Sequence, residues 1–144
     1  GEREIQLKDF FKGYRQTALQ EGEVIKALRI PFPLAPQARF YKVAKRRMDD
    51  ISTVAAGFAL ELSNNAVKTI KIGLGGVAAT PVRAYKTEDA IIGKPWTLET
   101  IQTAKEVIAS EFTPIDDFRG SAAYRLAMLE NLLEKFFIET GGAA

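Results

Sequence analysis

The chain has no cysteine and no histidine among its 144 residues. Without thiols it forms no disulfide, builds no thiolate metal site and cannot ligate an iron–sulfur cluster by itself. Without imidazole it lacks the general base of Ser-His-Asp and Cys-His catalysis and the commonest zinc ligand. Long apolar runs are missing too, since none approaches the ~20 residues that a membrane-spanning helix needs. Neither sign of charge dominates. The 20 basic and 18 acidic side chains leave a formal +2, which makes no electrostatic case for a nucleic-acid or membrane partner. The opening GEREIQLKDFF is too charged for a secretory signal. The expectation is a cytoplasmic protein outside the membrane.

What is present is enough for one core. Apolar residues make up 47% of the chain, and its length suits a single domain. Residues 3–9 read as a short strand. Residues 23–30 read as another, with Val24, Leu28 and Ile30 on one side and Pro31, Pro33 and Pro36 ending it. Strands follow over 38–45, 53–62 and 66–74, the last two joined by Asn64-Asn65, which tolerates the positive φ of a tight hairpin. Gly75-Gly76 breaks the pattern. Helical spacing then takes over. A short helix over 83–92 ends at Gly93 and Pro95, and Thr97 caps a helix over 98–111. Ser121 caps a last helix with Ala122, Leu126, Leu129, Leu133 and Phe136 on one face. Strands followed by helices predict an α+β fold: a mostly antiparallel sheet of three to four strands with about three helices packed on one face.

The densest charge lies in FYKVAKRRMDDISTVAAGFAL, residues 40–60, where Lys42, Lys45, Arg46 and Arg47 abut Asp49 and Asp50. Such a group is either a solvated turn whose ion pairs contribute roughly 0–1 kcal/mol each, or a charged loop beside a polar ligand. Gly73-Leu74-Gly75-Gly76 lacks the spacing of a dinucleotide fingerprint and the Gly-Lys-Ser/Thr ending of a P-loop, so it reads as a strand end or bulge. Phe10, Phe11, Tyr14 and Arg15 are either core with one polar handle or an aromatic platform. Asp116 and Asp117 precede the last helix and suit its N-terminus, with Arg119 and Arg125 as pairing partners that hold loops. These residues describe an α+β domain without a self-contained catalytic apparatus. A flavin-contacting part of an enzyme and a non-enzymatic interaction module, associating through the apolar face of 122–136 and an exposed wall towards a missing domain, both stay open. A nucleic-acid binder rests only on the Lys42–Arg47 cluster and is opposed by the neighbouring aspartates.

Four segments share a further property. DFFKGYRQTALQEGEVIKALRIP, the 40–60 segment, GGVAATPVRA, and IDDFRGSAAYRLAMLENLLEKF resemble, in order and spacing, one family. It is the C-terminal part of the FAD-binding subunit or domain of the xanthine dehydrogenase and carbon monoxide dehydrogenase group of molybdenum hydroxylases. The GYRQT opening and the RRMDDI loop look more like xanthine dehydrogenase. The resemblance implies that residues 1–36 end an FAD-binding domain and that 37–144 form the flavoprotein C-terminal α+β domain. It implies FAD shared with an upstream domain, which would hold the diphosphate through glycine-rich segments. Molybdopterin and 2Fe-2S clusters would sit in the parent enzyme and not on this chain. Partners would be the upstream FAD-binding domain and the iron–sulfur and molybdopterin domains or subunits, with a homodimer possible in isolation. By position, Ile25, Lys42 and Asp49 match the flavin-contacting residues, Arg47 a residue that responds to acceptor-side rearrangement, and Asp50 an anchor of the loop. Tyr14 and Arg15 would support the adjacent wall. No catalytic or metal-binding residue is implied, and an isolated chain would be inactive. Electrons would pass from iron–sulfur clusters through FAD to NAD. Met48 departs from the pattern, where the family often carries a polar or acidic residue.

Overall fold

The computed structural model describes residues 1–46, 48 and 50–141. Its centre is a hairpin of two ten-residue strands, β4 (Val54–Ser63) and β5 (Ala66–Gly75). The turn between them is Asn64-Asn65, both in the left-handed region at φ 50 and 60, as the residue types predict. The edge strand β3 (Gln37–Val43) pairs antiparallel with β4, and the two-residue β6 (Val82–Arg83) pairs antiparallel with β5. Three further helices follow in order, α2 (Tyr85–Ile91), α3 (Leu98–Glu111) and α4 (Ala122–Glu139). Thr97 and Ser121 cap α3 and α4 through their side-chain oxygens, as expected. The fold is α+β.

Alternation along β4 decides which face the helices cover. Val54, Ala56, Phe58 and Leu60 are buried, and their neighbours on β5, Ile70, Ile72 and Leu74, are buried beside them. Helix α4 packs on β3 and β4, α2 packs on β5, and α3 packs on both helices. Phe136 stacks on Phe58 with ring centroids 4.7 Å apart, and Trp96 meets Phe136 and Phe137 edge-on. Aromatic pairs of this kind add about 0.5–1.5 kcal/mol beyond the area they bury. The face of α4 offered above for association is therefore taken: Leu129, Leu133 and Phe136 have no exposure, being the lid on the sheet. That route to an interaction module is closed.

Residues 1–36 form an arm with different physics. The expected strand over 3–9 contains instead the short helix α1 (Leu7–Phe10), followed by a small hairpin of β1 (Phe11–Gly13) and β2 (Gln16–Thr17). The expected strand over 23–30 is absent from every described sheet. Its alternation is real, but a strand needs a ladder partner, and residues 24–36 make no backbone–backbone hydrogen bond among the described residues. Every hydrogen bond and ion pair described for residues 1–30 stays within 1–30, including Arg3–Glu23 and Arg29–Glu4. Of the aromatic group, Phe11 and Tyr14 are exposed and Phe10 is half-buried against Phe11, so it is not part of the core.

Two glycines in and just after β5 have different roles. Gly76 has φ 83, and a Cβ there would sit 2.3 Å from the Thr53 carbonyl oxygen. Gly73 has ordinary strand geometry, and a Cβ there would meet nothing within 4 Å. Gly76→Ala should therefore lower stability by at least about 2 kcal/mol, whereas Gly73→Ala should raise it by about 0.5 kcal/mol. Urea unfolding of the two variants checks both signs.

Candidate functional site

The helices finish one face of the sheet and leave the other open. Because side chains alternate, the open face carries Phe40 and Lys42 from β3, Ala55, Gly57 and Ala59 from β4, and Lys71, Gly73 and Gly75 from β5. Lys42 lies opposite Ala55 and is exposed. Phe40 lies opposite Gly57 and is 70% exposed. The two central glycines, Gly57 and Gly73, pair with each other. Each gives up strand stability with no steric reason inside this chain, since a Cβ on Gly57 would also meet only ordinary contacts. Glycine in that position leaves room for another backbone or a flat ring to approach closely.

Beyond Lys42 the chain enters the charged loop, and several devices pin it. The Thr53 N–H donates to the Val43 carbonyl at 2.7 Å and closes the loop's base. Asp50 Oδ2 accepts from the Arg46 N–H at 2.9 Å and Oδ1 from the Ile51 N–H at 2.9 Å. Those N–H groups, the Arg46 hydrogen bond foremost, hold the Asp50 carboxyl below its ordinary value. Asp50 thus acts as the anchor of the loop. Lys45 Nζ donates to the Phe118 carbonyl and ties the loop to the turn before α4. Asp49 and Arg47 lie outside the described residues.

That turn is held by Asp117. Its Oδ1 accepts from the Arg119 N–H at 2.8 Å, the Gly120 N–H at 3.2 Å and Arg125 Nη2 at 2.6 Å. Arg125 is itself buried. Its Nη1 donates to the Thr53 carbonyl and, at 2.7 Å, to the Gly76 carbonyl. An open depression of about 370 Å³ lies alongside, lined in part by Lys45, Thr53, Arg119 and Tyr124.

The other expected contact, Ile25, sits on the arm and is 58% exposed. Lys42 sits on the sheet, and no described hydrogen bond or ion pair joins the two segments. Tyr14 and Arg15 form the turn of the arm's small hairpin, Arg15 at φ 57.

A flavin dinucleotide makes two demands, and these residues fit one of them. A flat, small-residue surface bordered by a lysine suits a ring edge. A diphosphate needs convergent N–H donors or a free helix N-terminus. Here Glu111 accepts from the Lys86 and Thr87 N–H groups at the start of α2. Thr97 serves α3, and Ser121 with Asp116 serves α4. Every helix start of the sheet-and-helix unit is thus met by the chain's own side chains. No group of three or more potential metal ligands is found among the described residues, and no described helix is long and apolar enough to cross a membrane.

Sequence reasoning found the loop, the sheet and the acids before α4. It missed the pairing of Gly57 with Gly73, although glycine inside an apolar strand was a visible signal. It also missed Glu88, a buried carboxylate that pairs with Arg83 and accepts from the Ile72 N–H at 2.7 Å. No local pattern announces a bond of that kind.

Comparison with known proteins adds a family to this geometry. Residues 39–140 match the CO dehydrogenase flavoprotein C-terminal domain. Among relatives, the glyceraldehyde dehydrogenase medium chain of Sulfolobus acidocaldarius is 32% identical over 139 residues, covering 96% of this chain and 49% of that protein. Xanthine dehydrogenase 1 of Arabidopsis thaliana is 34% identical over 143 residues, covering 94% of this chain and 10% of that one. Among solved structures, quinoline 2-oxidoreductase from Pseudomonas putida 86 superposes with a TM-score of 0.83 at 28% identity, covering 95% of this chain and 47% of that one. The chain therefore spans half or less of the length of these relatives.

The anchoring of the turn carries a pH dependence. Burial pushes the Asp117 carboxyl up, but the Arg119 N–H, the Arg125 guanidinium and the Gly120 N–H outweigh it and hold the carboxyl below its ordinary value. Its contribution is complete above the unfolded value and is lost as pH falls through the lower folded value. Asp117→Asn should lower the urea midpoint at neutral pH and flatten its decline below about pH 4. A variant that declines as steeply as the parent chain would refute this role for Asp117.

Proposed function

Because this chain belongs to the family of CO dehydrogenase flavoprotein C-terminal domains, we propose that it is the C-terminal wall of the flavoprotein component of a molybdenum hydroxylase. The finer reading is a xanthine-dehydrogenase-like enzyme, supported by the GYRQT and RRMDDI segments. FAD, when bound, takes electrons from iron–sulfur clusters and delivers them to NAD⁺. In this reading the diphosphate belongs to an upstream half, residues 1–36 complete that half, and 37–144 cover the flavin from one side.

The observation that carries the reading is a sheet finished on one face only. Its open face borders Lys42 with Ala55, Gly57, Gly73 and Gly75, which leaves room for a neighbour to approach the backbone. Lys42 would donate to the pyrimidine edge of the flavin and stabilise negative charge that gathers there on reduction. Asp49 would oppose that charge, and Ile25 would lie against the ring. The exposed apolar arm has the same explanation, since Val24, Leu28 and Ile30 (84%, 79% and 69% exposed) need a partner to bury them. The arm also supports a second reading, an association module without flavin contact, in which those residues bind a second copy or another protein.

The test is to titrate FAD into this chain alone and into this chain joined to an upstream half, following flavin fluorescence. We expect binding only in the joined form. Lys42→Met in that form should weaken FAD retention or lower the flavin potential by tens of millivolts, where ~59 mV is a tenfold change for one electron. Failure to bind in both forms would remove the flavin and leave the association module. Anaerobic NADH should reduce the bound flavin, and no reduction would sink the NAD assignment alone.

A further inference from the structure

We infer that Arg125 is the positioning residue for Lys42, acting through Thr53. The inference rests on the reading that Lys42 meets the flavin. Arg125 is 3% exposed on the buried side of α4, while its helix neighbours Leu129 and Leu133 are fully buried. An apolar residue in that position would avoid the desolvation of a guanidinium. What arginine adds is shape: a rigid planar fork whose donors reach several acceptors at set angles. Nη1 spans the Thr53 and Gly76 carbonyls, and Nη2 takes Asp117 at 2.6 Å. Nε is buried and has no described partner, so the fork's orientation is set from its far end.

Those carbonyls occupy matching places. Thr53 is the residue before β4 and Gly76 the residue after β5. Both lie at the end of the sheet where Lys42 pairs with Ala55 and Val43 with Val54. The Thr53 N–H, on the other side of its Cα from the carbonyl that Arg125 holds, donates to the Val43 carbonyl at 2.7 Å, so a shift of Thr53 reaches the residue beside Lys42. Three further features converge on Thr53. A Cβ on Gly76 would collide with its oxygen at 2.3 Å, and one on Gly120 would come within 2.9 Å of its Cγ2. Its hydroxyl donates to the Arg119 carbonyl at 3.1 Å. A single residue is thus fixed from the helix, the neighbouring strand and the turn before α4. A fold staple alone would explain stability; a positioning device also sets where Lys42 stands.

The experiment separates the two. Arg125→Gln, Arg125→Lys and Lys42→Met are made in the flavoprotein that joins this chain to an upstream half. FAD dissociation constant and flavin midpoint potential are measured, and amide exchange at Val43, Ala44 and Thr53 is followed in this chain alone. Arg125→Gln should weaken FAD binding about tenfold, the scale of one lost coupling. It should move the potential in the direction of Lys42→Met and speed exchange at the three amides. In the Lys42→Met background the same substitution should add less than about twofold, because it acts through that lysine. Arg125→Lys should recover part of the loss, one ammonium reaching one carbonyl. If Arg125→Gln does not fold, Asp117→Asn takes its place and should move potential and exchange in the same directions, less far. Unchanged binding, potential and exchange in a folded variant overturn the inference. So do effects of Arg125→Gln and Lys42→Met that simply multiply. If Lys42→Met changes nothing, the flavin reading fails, and the exchange rates alone decide whether Arg125 positions the Lys42 end of the sheet.

Discussion

The Thr53 peptide sits where the sheet, the last helix and the charged loop meet, and its carbonyl is held by a buried guanidinium. That bond does work that packing cannot. Apolar contact between α4 and the sheet is non-directional, so it tolerates small sliding of one layer on the other. The two carbonyls on Arg125 Nη1 remove that freedom at one end of the sheet. Asp117 balances the charge from the turn that leads into α4, so the same residues set the helix's start and the sheet's edge together. Breaking one partner would leave a buried charge or an unmet carbonyl, each costing about 1–5 kcal/mol.

With that corner fixed, the two faces of the sheet diverge. One is saturated: Phe58, Phe136, Phe137 and Trp96 fill the space beneath the helices. The other is built small, with Ala55, Gly57, Gly73 and Gly75 at its centre and Lys42 at its margin. Strand stability would favour β-branched side chains there. Their absence leaves that face open to the close approach of a neighbour. The arm carries the complementary trace, apolar side chains facing water with backbone groups that have no ladder. Both features fit the proposal that this chain forms one side of a larger flavoprotein.

The electrostatics follow the same division. Ion pairs of the arm, such as Arg3–Glu23, lie at the surface and contribute little each. Carboxylates in the body are structural parts. Glu88 replaces the ladder partner that the two-residue β6 cannot supply to Ile72. Glu111 closes the start of α2, which has no cap of its own. Asp50 and Asp117 serve loops in the same way. Because Glu111, Thr97, Ser121 and Asp116 accept from the backbone N–H groups at the starts of α2, α3 and α4, no helix start of the body is left to hold a diphosphate.

Local chemistry was legible in the sequence. Asn64-Asn65, Thr97, Ser121 and the alternation of β4 and β5 each specify structure through groups a few residues apart, so the α+β order and the capped helices could be read directly. The acids before α4 were legible for the same reason, because Asp117 and Arg125 are eight residues apart. The arm was misread because alternation reports which side chains could share a face, not whether a ladder partner exists. The grip of Arg125 on Thr53 spans 72 residues, and the pairing of Gly57 with Gly73 depends on strand register. Sequence by itself determined the main strands and helices from residue 37 onward, the caps of α3 and α4 and the one-sided apolar pattern, since those depend on short-range sterics and periodicity. Only the tertiary structure decided which face stays open, where Lys42 stands on it and what holds it there, because such relations exist only once distant backbone groups meet.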